Sequence, residues 1–183
     1  MEPLLTYLTS EQVESHSDHI VEVYSRAFRD PPYNRTKAEV LAFSSSLPEH
    51  TRRQDFRFLA VFEDNSRQLL GFSYGYKVQP GQWWHDQVKN ALDPLVAEEW
   101  LADSFQLVEL AVDPTAQGSG YGSLLHDRLI ADLPYRKAVL STIARDTVAY
   151  RLYRKRGWVE LLDNFNFASV VKPYRIMGLD LRR

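Results

Sequence analysis

Apolar residues recur along this chain with two different periods. In "EQVESHSDHIVEVYSRAF", residues 11–28, Val13, Ile20, Val23, Tyr24, Ala27 and Phe28 fall near the helical repeat, with Ser10 as the N-cap. "DPPYN" ends that helix, because proline cannot continue it. A second helix is expected from Thr36 to Ser46. Strand-like runs are Leu4–Thr9, Phe56–Glu63, Leu69–Val78, Phe105–Asp113, Ala138–Ala144, "WVELL" and "YRIMGLDL". The second and third of these form a hairpin through "DNSRQ". Residues 83–104 read as two short helices divided at Pro94, rich in tryptophan. A helix at Gly122–Leu133 carries Leu124, Leu125, Leu129 and Ile130 on one side. A last helix spans Asp146–Arg156, capped by Asp146 and closed by Gly157.

The resulting order, β-α-α-β-β-(αα)-β-α-β-α-β-β, implies an α/β chain with a mixed sheet and helices on its faces. No repeat or linker interrupts it, so residues 1–183 are expected to form a single domain with a Trp-rich insertion at about 83–104.

Composition narrows the chemistry. The chain is 44% hydrophobic with a net charge of −2, and it lacks the basic stripe of a nucleic-acid binder. It has no cysteine, which excludes disulfides, thiolate metal sites and a cysteine nucleophile. No apolar run approaches the roughly 18 residues of a membrane span, and the start is no signal peptide. A soluble, cytoplasmic protein without membrane partners is expected. His16, Asp18 and His19 in "HSDH" lack the further ligands of a metal site, so no metal is expected. His126 and Asp127 are expected to face solvent.

The chemical signal lies in "DPTAQGSGYG", Asp113–Gly122, between a strand and a helix. Main-chain N–H groups ahead of a helix favour an anion, and glycines let it come close. The turn therefore reads as a phosphate cradle formed by Gly118, Ser119, Gly120, Tyr121, Gly122 and Ser123. A P-loop requires a lysine that is missing here. A dinucleotide fingerprint fits Gly118 and Gly120 but puts Ser123 in the third glycine slot. It also lacks the acidic residue about 20 positions on. Gln117, Gly120 and Gly122 complete the pattern [QR]-x-x-G-x-[GA].

"ELAVDPTAQGSGYGSLLHDRLI" thus resembles the acyl-CoA-binding segment of the GNAT superfamily of N-acyltransferases. "DTVAYRLYRKRGWVEL" resembles the family's downstream run, with Ala149, Leu152, Tyr153, Gly157 and Trp158 in register. Asp146 stands where asparagine is usual. The close resemblance covers about Leu107–Leu162. It implies a mostly antiparallel sheet of about seven strands, acetyl-CoA as acyl-donor cosubstrate, and an amine acceptor attacking directly. It also implies donor contacts from Leu110, Ala111 and Val112, with a main-chain amide near Ala111 or Val112 polarising the thioester. Asp146, Ala149 and Tyr150 are implied along the donor. These folds often dimerise, so a homodimer is an expectation.

By the same resemblance Tyr153 is the general acid, with Tyr150 the spare candidate. Glu109 is the candidate base, because a carboxylate inside an apolar strand is costly unless it serves a site. Alternation puts Leu107, Glu109 and Ala111 on one face, and Val108, Leu110 and Val112 on the other. The alternative for Glu109 is an ion pair with Arg145 or Arg57. Trp83 and Trp84 either stack on the acceptor or cover the sheet edge, and Tyr33 is a further acceptor-side candidate. The rival functions are a non-catalytic acyl-CoA-binding module, a dinucleotide oxidoreductase, and an interaction protein using the Trp-rich insertion.

Overall fold

Threonine sets the start of three helices in this chain. In the computed structural model, which describes residues 3–64, 67–168 and 172–182, Thr9 and Thr36 each form a reciprocal capping box. Each accepts from the N–H of the glutamine or glutamate three residues on, whose side chain bonds back to the cap. They start helices α1 (Ser10–Ser15) and α3 (Lys37–His50). The expected single first helix is therefore two, because the chain breaks at His16 before α2 (Ser17–Phe28). Ser10 is not a cap: its hydroxyl donates to the Thr51 carbonyl. α3 also runs past Ser46, through Pro48, to His50.

The other elements are β1 (Leu4–Leu8), β2 (Arg57–Phe62), β3 (Leu69–Lys77), α4 (Trp83–Ala91), α5 (Pro94–Leu101) and β4 (Ser104–Val112). After a short 3-10 turn at Pro114–Ala116 come α6 (Tyr121–Ile130), β5 (Lys137–Ile143), α7 (Val148–Lys155), β6 (Val159–Phe165) and β7 (Tyr174–Asp180). Seven strands form one mixed sheet in the order β1-β2-β3-β4-β5-β7-β6. The pairs β1–β2, β2–β3, β5–β7 and β6–β7 are antiparallel, and β4–β5 is parallel.

The chain gathers into two compact units. One comprises the chain up to Tyr76 with Val108–Ala131; the other comprises Lys77–Leu107 and the chain from Asp132 onward.

The first unit buries a layer of stacked rings. Phe58 packs parallel to Phe72 and Tyr74, and Tyr24 of α2 lies flat on Phe43 of α3 at 3.9 Å. The opposite face of β2 sends Leu59 and Val61 against Leu125 of α6, the period-two alternation of a strand buried on both sides. The last carbonyls of α6 are satisfied from elsewhere in this unit. Arg57 Nη1 donates to Leu129 and Ala131 at 3.1 and 2.7 Å, and the Tyr7 hydroxyl donates to Arg128 at 2.9 Å.

In the second unit Trp84 and Trp158 are buried, and Trp84 Nε1 donates to Ser141 Oγ at 3.2 Å. Lys137 sits over the Trp100 ring and pairs with Asp180 and Glu99. α7 is capped by Thr147, whose side chain accepts from Tyr150 N. Asp146, the expected cap, instead pairs with Arg151 at 3.0 Å and stays exposed. The reason is one residue of register: Thr147 has the extended backbone a cap requires.

Candidate functional site

The turn between β4 and α6 is held from inside and bare on the outside. Asp113 Oδ1 accepts from Thr115 N at 2.9 Å and fixes the 3-10 turn. Gln117 then sends its Nε2 back to the Val112 carbonyl at 3.1 Å. Gly118 and Gly120 follow with φ of +80° and +84°, a left-handed conformation that side chains disfavour. A Cβ at either glycine would meet nothing within 4 Å, so the glycines serve the backbone path and the open approach. Gly120 is the N-cap of α6 and offers no side-chain acceptor, whereas threonines cap α1, α3 and α7. Space, exposed main chain and helix polarity together fit a diphosphate.

Glu109 lies on β4 in the same unit and is half-buried. Desolvation pushes its carboxyl pKa up to about 7, against an opposing pull from the Arg35 guanidinium. Neither arginine foreseen as a partner pairs with it. Arg57 is taken by the α6 carbonyls, and among the described residues no ion pair reaches Glu109. Its charge is felt instead by the Tyr74 and Tyr76 hydroxyls of β3. Burial pushes the Tyr74 hydroxyl well above its ordinary range and Tyr76 up to about 12. Tyr74 is joined to His50 Nδ1 at 3.0 Å, and Tyr76 accepts from Arg53. Burial, followed by the Arg53 charge, pushes His50 down to about 4, so its imidazole is neutral at neutral pH.

Those four polar residues are absent from the sequence-derived site. Their one signal is the i, i+2 spacing of Tyr74 and Tyr76, which shares the Phe72 face of β3. Strict alternation also fails on β4. Val108 packs with the cluster containing Ala111, while Leu110 and Val112 pack with Leu125. The face changes slip by one position between Val108 and Leu110, as where an extra residue enters a strand.

In the second unit, Tyr153 of α7 is buried with its ring tilted against Trp158, centroids 5.8 Å apart. Tyr150, the spare candidate, is engaged. Its hydroxyl donates to Glu160, which raises its pKa, and Arg175 covers its ring at 4.3 Å.

The sequence profile of the Acetyltransferase (GNAT) family matches residues 18–158. The chain belongs to the GNAT family. The GCN5-like protein acetyltransferase Rv2170 of Mycobacterium tuberculosis is 34% identical to this GNAT chain over 127 residues. That alignment covers 65% of this chain and 62% of the relative, so the chain spans less than two thirds of that protein's length. The ribosomal-protein-S18-alanine N-acetyltransferase of Escherichia coli superposes with a TM-score of 0.66 at 17% identity, over 100% of this chain and 96% of the other. The PaiA N-acetyltransferase of Thermoplasma acidophilum, solved in complex with coenzyme A, gives 0.63 at 14% identity, over 98% and 99%. These two likenesses establish the fold.

The acceptor-side candidates of the GNAT chain separate. Trp84 is a core side chain, 6% exposed, so its ring is closed to an acceptor, and it does not stack with Trp83. Helical spacing explains the split: Trp84 and Val88 are one turn apart on the buried side of α4. Trp83 is 53% exposed and stacks on Phe167 at 5.2 Å. Tyr33, in the first unit, packs edge-on against Phe28 at 4.9 Å. His126 is also corrected: it is fully buried rather than solvent-facing, because exposed Asp127 takes its Nδ1 at 2.7 Å and satisfies it locally. Among the described residues no group of three or more His, Asp or Glu could hold a metal ion, and no helix is long and apolar enough to cross a membrane.

Proposed function

We propose that this GNAT chain transfers the acetyl group of acetyl-CoA to a primary amine of a small molecule or protein by direct attack. The observation that carries the reading is the bare start of α6, where left-handed Gly118 and Gly120 leave the main chain open and no side chain caps the helix. The names of the relatives, acetyltransferases in each case and one bound to coenzyme A, support the same direction.

When bound, acetyl-CoA supplies an activated thioester. The N–H groups of Gly118–Gly122 hold its diphosphate, and a main-chain amide at Ala111 or Val112 polarises its carbonyl. Glu109 takes a proton from the acceptor ammonium. A carboxyl poised at about pH 7 suits that task at neutral pH. Tyr153 gives a proton to the departing thiolate, and Tyr33 and Trp83 are the remaining acceptor-side candidates.

The test is a panel of polyamines, amino acids, aminoglycosides and peptide N-termini with acetyl-CoA, reading released thiol. The chain has no cysteine to obscure the signal. Thiol release above hydrolysis is expected with at least one class. Release with none of them, despite coenzyme A binding, would make the chain a non-catalytic acyl-CoA-binding module.

A further inference from the structure

α4, α5 and the stretch just after β3 enclose a groove of about 410 Å³ in the second unit. Its buried floor is Val78, Ala97 and Leu101, and Pro80 and Pro94 flank it at the surface. One polar side chain reaches that floor: His85 lines the groove and is 5% exposed.

The His85 ring is fixed in one orientation. Its Nδ1 lies 2.7 Å from Asp86 Oδ1, which also accepts from Gly81 N at 3.1 Å. The His85 bond, followed by the Gly81 amide, holds the Asp86 carboxyl below its ordinary range. A carboxylate only accepts, so Nδ1 carries the proton and, in the neutral ring, Nε2 is a bare acceptor. Asp86 does not line the groove, so the ring turns its Nδ1 edge away from it and its Nε2 edge toward it. Nε2 has no hydrogen-bond partner among the described residues. It is also not one of the fully enclosed side-chain atoms without a partner, which are Gln106 Oε1 and Asp113 Oδ2. Nε2 therefore keeps accessible surface, and the groove is the space that its ring lines.

These features define a ligand. Val78, Ala97 and Leu101 carry no polar side-chain group, so the recess offers one acceptor and no side-chain donor. An aliphatic alcohol or an amide would need a donor in return, whereas a phenol, its oxygen lone pair delocalised into the ring, mainly donates. The rim carries Lys89 and Glu98, whose charges cancel, so neither a cation nor an anion is favoured. The volume lies near the lower end of the range of about 300–1,000 Å³ for ligand pockets, which suits a small ring compound.

We propose that this groove binds a small neutral phenol, its ring against Val78, Ala97 and Leu101 and its hydroxyl donating to His85 Nε2. None of these residues has a part in the acetyltransferase reading, so the two stand or fall separately.

Isothermal titration and nitrogen NMR of the imidazoles, both on the whole chain, test it. The ligand is para-cresol; toluene and para-methylanisole are controls of like shape that lack the donor. Saturable one-site binding of para-cresol is expected, with both controls weaker by about tenfold. The His85 Nε2 signal should move with the titration while those of His16, His19, His50 and His126 stay in place. His85→Phe keeps a ring and removes the acceptor. It should weaken para-cresol by about tenfold and leave toluene little changed. If that variant fails to fold, the wild-type Nε2 signal decides the matter. The proposal is overturned by an absence of saturable binding up to millimolar para-cresol, in which case a water serves Nε2. It is equally overturned by controls that bind as tightly as para-cresol, by an unaffected His85→Phe, or by shifts confined to the other histidines.

Discussion

Gln117 Nε2 and the Val112 carbonyl are 3.1 Å apart, so the side chain that opens the glycine turn is tied to the end of β4. Gln117→Leu removes this tie at an exposed position. A single such bond contributes about 1 kcal/mol to stability. The larger effect is expected on the turn: a KM for acetyl-CoA raised by about three- to tenfold with kcat little changed, as read from steady-state kinetics.

Glu109 should give the enzyme an acid limb near pH 7, with kcat/KM rising as the carboxyl ionises, and Glu109→Gln should remove it. Stability moves the other way. The folded carboxyl holds its proton up to about 7, and an unfolded glutamate releases it near 4.5. Over that window the native state binds the extra proton, so this contribution is present at low pH and lost as pH rises through about 7. Urea midpoints near pH 5 and near pH 8 should fall with pH in the wild type relative to Glu109→Gln. A parallel pair of profiles would remove Glu109 from both roles.

The two tyrosines of α7 should respond differently. Tyr150→Phe breaks the bond to Glu160 beneath Arg175 and should cost about 1 kcal/mol of stability while activity persists. Tyr153→Phe should keep coenzyme A binding and lower kcat by about a hundredfold or more. Equal losses in the two variants would point to packing of the helix rather than proton donation.

A methyl group at position 71 has nowhere to go. A Cβ on Gly71 would lie 2.8 Å from the Ala111 carbonyl oxygen and 3.2 Å from a Leu125 methyl. The first neighbour is backbone and cannot swing aside. Gly71→Ala should therefore destabilise by about 1–3 kcal/mol in chemical denaturation, with a disturbed donor affinity because Ala111 moves.

Thr147→Ala should cost about 1 kcal/mol by uncapping α7, whereas Asp146→Ala should cost less than half of that. Reversed magnitudes in thermal melts would restore Asp146 as the cap.

Strand and helix identities were legible in the sequence because burial imposes a period on each. The seven strands and the order of elements along the chain follow from it, apart from the first helix, which divides in two at His16, and the glycine turn carries the family signal in four or five residues. What escaped was decided by neighbours in space or by a single residue of register. Ser10 and Thr9, like Asp146 and Thr147, share the same capping chemistry, and only backbone conformation separates them. α6 stops at Ile130, three residues short of Leu133, where Asp132 turns left-handed and Pro134 disfavours a helical residue before it. The surroundings of Glu109 come from α3 and β3, and no local pattern in β4 announces His50 or Tyr74.

The uncapped start of α6 also bears on how long the molecule lasts in a cell. On the proposed reading, a diphosphate bound at this turn stabilises the folded chain by an amount that grows with the logarithm of the ligand concentration above its dissociation constant. Acetyl-CoA would then act on this chain as a guardian against local opening and proteolysis.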